Sequence, residues 1–211
     1  MDKVDLMVTI AVITMFISLF LALFLITVKS KHKLSNRLFA LFLILTAIDI
    51  SGILFEFLNK SPSNIGMFRN LMTFLQLPTF YLYVLSVCYS DFKLKPKHLI
   101  HIIPFLIVNL ILLPRFYGVN LVSKIRFLEK SSSMIEIQFN HILIHIQIVF
   151  YIIVVFIVLK KAKNIYLENY TGASITSLNW LFQFALALSL FYSLALLKNI
   201  FKFSTYTNFS E

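Results

Sequence analysis

The stretch LFALFLILTAIDISGILFEFL (residues 38–58) decides the fold of this chain. It is long enough to cross the ~30 Å hydrocarbon core of a bilayer as a helix, since about 20 apolar residues suffice. Only two charged side chains, Asp49 and Glu56, interrupt it. Five further apolar stretches resemble it, so the 211 residues leave no room for a separate water-soluble domain.

We place the six spans at about residues 7–28, 38–58, 71–89, 99–114, 140–159 and 178–197. All six should be helices, because a lone strand cannot satisfy its backbone hydrogen bonds in lipid. The sequence therefore predicts an all-α fold, in which residues 1–211 form one polytopic transmembrane helix bundle. In the fourth span, Pro104 and Pro114 predict a kink or a tilt.

The composition agrees, with 59% hydrophobic residues and 13% charged residues, where soluble domains carry about 25% charged residues. The net charge of +10 could indicate nucleic-acid binding. However, the basic residues cluster at the ends of the spans, as they do in membrane proteins. We therefore expect the lipid bilayer as a partner and no direct contact of this chain with nucleic acid.

Compact lysine runs follow the first, third and fifth spans: Lys29, Lys31 and Lys33; Lys93, Lys95 and Lys97; Lys160, Lys161 and Lys163. Positively charged loops stay on the cytoplasmic side. The sequence thus predicts a multi-pass protein of the cytoplasmic (inner) membrane with its N-terminus outside.

The longest loop, at about residues 115–139, is predicted on the outer side. Helical spacing of apolar residues predicts a short amphipathic helix on the membrane surface, formed by Leu121, Val122, Ile125 and Leu128. Next, Ile135, Ile137 and Phe139 alternate with polar residues, which indicates a strand. The loop is either a structured connector or a lid over an outward-facing pocket.

Asp49 is the clearest candidate for a functional residue, because an ionisable side chain near the midplane of the membrane is costly. No Lys or Arg is expected at its depth, and the polar residues predicted nearest to that depth are Asn109, Ser189, Tyr81 and Tyr83. Asp49 either joins helices through hydrogen bonds, or contacts a ligand, or acts as a proton-sensitive switch. Glu56 lies two turns further on the same face and is expected to pair with Arg69 or Arg115.

The third span contributes further candidates. Gln76 and the aromatic residues Phe80, Tyr81 and Tyr83 either line an outward-facing cavity for a small amphipathic ligand or pack against other helices. The candidate ligand-contacting residues are therefore Asp49, Glu56, Gln76, Tyr81 and Asn109.

Neither catalytic motifs nor cofactor motifs occur in the sequence, so we expect no enzyme and no cofactor. Two histidine pairs have helical spacing, His98 with His101 and His141 with His145. The predicted topology places the pairs on opposite faces of the membrane, which excludes a four-histidine metal site. A two-histidine site on one face is left open, beside a role as interfacial anchors.

Three stretches resemble a known family: KHKLSNRLFALFLILTAIDISG (31–52), LPTFYLYVLSVCYSDFKLKPKHLIHIIPFLI (77–107) and LILLPRFY (110–117). They are similar to the membrane-embedded sensor region of bacterial AraC-type transcriptional regulators that are common in Bacteroidota. In that family a multi-helix membrane domain precedes a cytoplasmic helix-turn-helix domain.

The resemblance implies seven spans followed by an output domain, whereas the sequence to Glu211 contains six spans and no helix-turn-helix pattern. We therefore expect a truncated form of such a sensor, or a subunit that acts through a partner. The alternative is a small transporter or permease subunit that uses Asp49 for coupling. A third hypothesis is a membrane anchor without a ligand. The sequence leaves open whether the chain forms a homodimer.

Overall fold

The computed structural model describes residues 3–58, 61–169 and 176–207, which form helices and turns with no strand. The α-helices among them are α1 (Lys3–Thr27), α2 (Lys33–Leu58), α3 (Asn64–Leu71), α4 (Gln76–Cys88), α5 (Ile103–Leu112), α6 (Leu121–Glu129), α7 (Ile135–Asn169) and α8 (Thr176–Thr207). Shorter segments are 3-10 helical at Met72–Leu75, Pro96–Ile102 and Ser131–Ser133, and π-helical at Leu113–Tyr117.

Six helical stretches in the described part of the chain are long and apolar enough to cross a membrane, which confirms the predicted spans. They are Asp5–Thr27, Lys33–Leu58, Asn64–Cys88, Pro96–Tyr117, Ile135–Glu168 and Leu178–Lys198. The chain is therefore an all-α, multi-pass membrane protein. It divides into two compact units, residues 1–144 and 145–211, with the boundary inside α7.

In the first unit, α2 packs against α1 through small side chains. The buried residues described in α1 are Ala11, Ser18 and Ala22. In α2, Ala40 and Ala47 are 0% and 2% exposed. Small residues let two helix backbones approach closely, which matters in lipid because no hydrophobic effect drives the helices together.

The other side of α2 packs against α4 with aromatic side chains. The ring centroids of Phe42 and Phe80 are 5.4 Å apart, and those of Phe39 and Tyr83 are 4.7 Å apart. Phe80 and Tyr83 are buried, so both residues take the packing role that the sequence left as one of two alternatives. Helix α2 is thus held on two sides by two different kinds of contact.

The third span is composite, because the 3-10 segment Met72–Leu75 separates α3 from α4. The span begins at Asn64, earlier than the predicted residue 71, because Ser63 caps α3. Its hydroxyl oxygen accepts a hydrogen bond from the backbone N–H of Gly66 at 3.0 Å. As a result, Arg69 lies within the span.

The fourth span changes helix type where its prolines lie. It begins as a 3-10 helix and becomes α-helical beside Pro104. At Pro114 the turn widens to a π-helix, in which the Gly118 N–H donates to the carbonyl of Leu113 at 3.1 Å. Proline lacks an N–H and its ring crowds the preceding turn, and the wider turn accommodates both. The span therefore continues to Tyr117, past the predicted end at residue 114.

The predicted amphipathic helix is present as α6. Asn120 caps it, since its Oδ1 accepts a hydrogen bond from the Ser123 N–H at 3.0 Å. Phe127 is buried against Phe116, with ring centroids 5.8 Å apart. The four apolar residues that predicted the helix, Leu121, Val122, Ile125 and Leu128, are all exposed. Exposed apolar side chains suit a helix on a membrane surface, and that location stays a prediction.

The strand predicted from alternation at Ile135, Ile137 and Phe139 is wrong, because these residues belong to the first turns of the 35-residue helix α7. Near lipid, a helix satisfies its own backbone hydrogen bonds, whereas a single strand does not. That requirement outweighs an alternation over five residues. The start of α7 is tied to the fourth span by an ion pair of 3.3 Å between Arg115 Nε and Glu136 Oε1.

The second unit contains the rest of α7 and α8. The rings of Phe156 and Phe182 meet edge to face, with centroids 5.4 Å apart. Leu181 and Ala185 of α8 are 0% and 1% exposed. The two helices therefore contact each other through a narrow apolar stripe.

Substitution of Ala40 by Leu should destabilise the protein by about 1–3 kcal/mol, because the added carbons have no space between α1 and α2. Thermal unfolding of the purified protein in detergent would measure the effect. Ala187→Leu is the matched control, since Ala187 is exposed on α8. Equal unfolding temperatures for the two variants would contradict close packing of α1 on α2.

Candidate functional site

A polar cluster lies where α2 passes the composite third span. Asp49 is about 5 Å from the midpoint of α2, a helix about 39 Å long. The side-chain amide of Gln76 donates a hydrogen bond to the Asp49 carboxylate. The same amide nitrogen donates to the backbone carbonyl of Leu45 at 3.3 Å. Gln76 is buried, whereas Asp49 as a residue is exposed at the surface of the bundle.

Arg69 approaches the same place from α3. Its Nη1 donates to the backbone carbonyl of Asp49 at 3.4 Å, and its Nη2 donates to Asn70 Oδ1 at 2.6 Å. The guanidinium carbon lies 5.4 Å from the centre of the Phe55 ring, a cation–π distance. The buried Nε of Arg69 has no hydrogen-bond partner among the described residues.

The two opposite charges interact without direct contact. The guanidinium of Arg69 is close enough to act electrostatically on the Asp49 carboxylate, yet no ion pair within 4.0 Å joins them among the described residues. A single charge at the centre of a membrane helix costs about 2.5–3.5 kcal/mol on insertion scales. The nearby opposite charge and the Gln76 amide reduce that cost, and the carboxylate keeps further lone pairs that can accept a hydrogen bond.

Gly52 makes room for the guanidinium. A Cβ at this position would collide with Nη1 of Arg69 and lie 3.2 Å from its Cζ. Gly52 is one turn beyond Asp49 on α2, so the absence of a side chain there lets Arg69 reach the Asp49 carbonyl. Glycine is needed at this position because the guanidinium approaches the backbone of α2 closely.

The pairing predicted for Glu56 is not found in the structure. Arg115 forms its ion pair with Glu136, and the guanidinium of Arg69 is engaged by Asp49, Asn70 and Phe55. The described residues contain no ion pair of Glu56 with either arginine. Glu56 is exposed near the end of α2, two turns from the cluster. The prediction failed because the sequence position of Glu56 near a helix end did not reveal that Arg115 pairs with Glu136 instead.

The other predicted site residues lie in different places. Tyr81 contacts His101, with ring centroids 5.4 Å apart, near the turn that joins the third and fourth spans. Asn109 accepts a hydrogen bond from the Tyr117 hydroxyl at 2.8 Å and donates to the carbonyl of Phe105 at 2.7 Å. Thus the structure brings Asp49 and Gln76 together and keeps Tyr81 and Asn109 with other partners.

Sequence reasoning named Arg69 as a partner of Glu56 and missed its approach to Asp49, because the predicted third span started after it. The expectation that no basic side chain reaches the depth of Asp49 is therefore wrong. A signal was present: Ser63 before an apolar run marks a helix N-terminus, and a helix begun there carries Arg69 into the span. Gly52, which is opposite Arg69, gave no sign of its role in the sequence.

No protein-family model, no curated protein and no solved structure matches the chain. The geometry of the cluster is therefore the basis for assigning a function. The described residues also contain no group of three or more His, Cys, Asp or Glu side chains that could hold a metal ion.

Gly52→Ala should destabilise the wild-type protein by about 1 kcal/mol, because displacing the Arg69 guanidinium from its hydrogen bond costs about 2 kcal/mol and the higher helix propensity of alanine offsets about 1 kcal/mol of this. In an Arg69→Met background the same change should be neutral or stabilising, since alanine favours a helix over glycine by about 1 kcal/mol. Thermal unfolding of the four proteins forms a double-mutant cycle. Gly118→Ala is the control, because a Cβ there would meet only the Leu113 carbonyl at an ordinary 3.4 Å. An equal effect of Gly52→Ala in both backgrounds would refute the role of Gly52.

Proposed function

We propose that the chain is a membrane-embedded sensory module, receptor-like and non-catalytic, similar to the sensor region of AraC-type regulators. The observation that carries the proposal is Asp49, an exposed residue near the midpoint of its helix whose carboxylate accepts a hydrogen bond from Gln76 and lies close enough to Arg69 to interact with it electrostatically. A carboxylate has two oxygens that accept hydrogen bonds, so the single bond from Gln76 leaves Asp49 able to accept another. The ligand class that fits is a small apolar molecule with one hydroxyl group, which can donate a hydrogen bond to Asp49.

The position of the cluster supports a signalling role. Asp49 belongs to α2, Arg69 to α3 and Gln76 to the first turn of α4, so a bound ligand would contact both sides of the 3-10 segment Met72–Leu75. A short 3-10 stretch within a helix often marks a hinge. A ligand that prefers one arrangement of this hinge shifts the population of the whole span towards it.

The test uses a panel of apolar molecules with one hydroxyl group, together with the corresponding methyl ethers, which cannot donate. Wild-type protein in lipid vesicles should react at Cys88 with a maleimide at a rate that certain alcohols change and their ethers do not. Cys88 suits this measurement because it is the only cysteine of the chain, ends α4 and is partly buried, so its rate of reaction changes when its exposure changes. The effect should disappear in Asp49→Leu and persist in Glu56→Leu, the matched control.

Two results would contradict this proposal. If no alcohol changes the rate in wild-type protein, or if Asp49→Leu responds like Glu56→Leu, the cluster does not bind such ligands. Uptake of an active alcohol-bearing solute into vesicles, driven by a proton gradient and lost in Asp49→Leu, would instead support a small transporter. A carboxylate beside an arginine at mid-depth also suits that second function.

The proposed location is the cytoplasmic membrane with the N-terminus outside. In a Cys88→Ser background, a cysteine at Ser133 should react with a membrane-impermeant maleimide in intact cells, while a cysteine at Lys93 should react only after lysis. Both positions are exposed, so a difference in reactivity reports their side of the membrane. The reverse labelling pattern would overturn the orientation.

A further inference from the structure

A second candidate site lies at the turn between the third and fourth spans, away from the Asp49 cluster. There a pocket of about 600 Å³ opens between the end of α4 and the 3-10 segment Pro96–Ile102. Its volume falls within the range of small-ligand sites, roughly 300–1,000 Å³. By the predicted topology, this turn is on the cytoplasmic surface of the membrane.

The charge of the pocket favours an anion. Lys93, Lys95 and Lys97 line it, and all three are exposed and accessible from solvent. The opposing charge in the lining is the carboxylate of Asp91. With neutral histidines, three positive charges and one negative charge leave the lining positive. A cation would be repelled by such a lining, and an anion would be attracted.

His98 adds a hydrogen-bond donor in a fixed orientation. Its Nδ1 accepts a hydrogen bond from the backbone N–H of Lys95 at 2.9 Å. The proton of the neutral ring must therefore be on Nε2, which makes Nε2–H a donor. The ring is also packed between aromatic neighbours, with centroids 5.2 Å from Phe92 and 6.5 Å from His101. This donor is held in place beside the flexible lysines.

The rest of the lining is apolar or aromatic and comes partly from the turn and partly from the two spans. Tyr81 and Leu85 come from α4, and Ile100 comes from the 3-10 segment. The pocket thus has a basic part at the loop and an apolar part that continues along the helices. This combination matches an amphiphile whose phosphate lies at the membrane surface and whose apolar part extends into the lipid.

We propose that this pocket binds a phosphate group, most favourably that of an anionic phospholipid headgroup, through Lys93, Lys95, Lys97 and His98. The proposal is independent of the ligand proposed for Asp49. A phosphate accepts several hydrogen bonds at once, and three lysines with the His98 Nε2–H supply them. Lysines at a span end also set topology, so the experiment must separate specific binding from simple surface charge.

The experiment measures binding of fluorescent phosphatidylglycerol to the full chain in phosphatidylcholine vesicles. Binding to wild-type protein should be saturable. The Lys95→Gln, Lys97→Gln double variant should bind about thirtyfold more weakly, because each of the two lysines near an anionic surface contributes about 1 kcal/mol. The matched control is Lys29→Gln, Lys31→Gln, which removes the same charge from the turn before α2 and should leave the affinity unchanged.

A third variant tests the oriented donor. His98→Phe keeps a ring for packing against Phe92 but removes Nε2–H, and it should weaken binding at least about tenfold, the loss of one hydrogen bond to a charged group. Unchanged thermal unfolding of His98→Phe would show that it folds. If His98→Phe fails to fold, His98→Gln replaces it in the experiment. Glutamine keeps a hydrogen-bond donor, so this variant should retain most of the affinity.

Soluble anions distinguish the two sources of phosphate. Glycerol 3-phosphate and inorganic phosphate should not displace the labelled lipid at concentrations near those of the cell. Displacement by either compound would show that the pocket binds a phosphate group, and that the phosphate belongs to a soluble ligand. Equal loss of affinity in the Lys95–Lys97 variant and the Lys29–Lys31 variant would overturn the proposal, because surface charge alone would then explain the binding.

Discussion

The fold of the first unit depends on the packing of α2 between α1 and α4. Lipid is as apolar as leucine, so helices are held by shape and by polar contacts rather than by exclusion from water. Ala40 and Ala47 provide the first kind of contact, and Phe42 on the other side fills the space towards α4. This two-sided packing fixes the rotation of α2, and hence the direction of Asp49, which lies on the side that faces Gln76.

Much of the fold follows from the sequence, because the bilayer allows so few backbone structures. Span number and helical class are dictated by apolar length, and α6 by the spacing of its apolar residues. The errors share one cause: local patterns were read without the capping and hydrogen bonds of neighbouring elements. Ser63 moves the start of the third span outward, and the π-turn at Pro114 moves the end of the fourth. The alternation near Ile137 covers too few residues to form a strand, and helix α7 includes these residues.

The candidate site was less predictable. Asp49 was found because a carboxylate within an apolar helix is conspicuous, and Gln76 because it interrupts the next span. Their contact depends on the rotation of two helices about their axes, which the sequence does not specify. Arg69 reaches the cluster because a capped helix carries it into the span and because Gly52 has no side chain. Tyr81 and Asn109 are also polar, and the sequence predicts them at a depth similar to that of Asp49. Only their partners, His101 and Tyr117, show that they lie outside the cluster.

The composite third span connects the two proposed sites. Gln76 in the first turn of α4 contacts Asp49, and Tyr81 and Leu85 of the same helix line the basic pocket. Helix α4 is about 20 Å long at 13 residues, and it packs against α2. A 3-10 turn and an α-turn differ in rotation per residue, so conversion of Met72–Leu75 would rotate α4 about its axis. Such a rotation changes the contacts at both ends of α4, which is the physical requirement for coupling two distant sites.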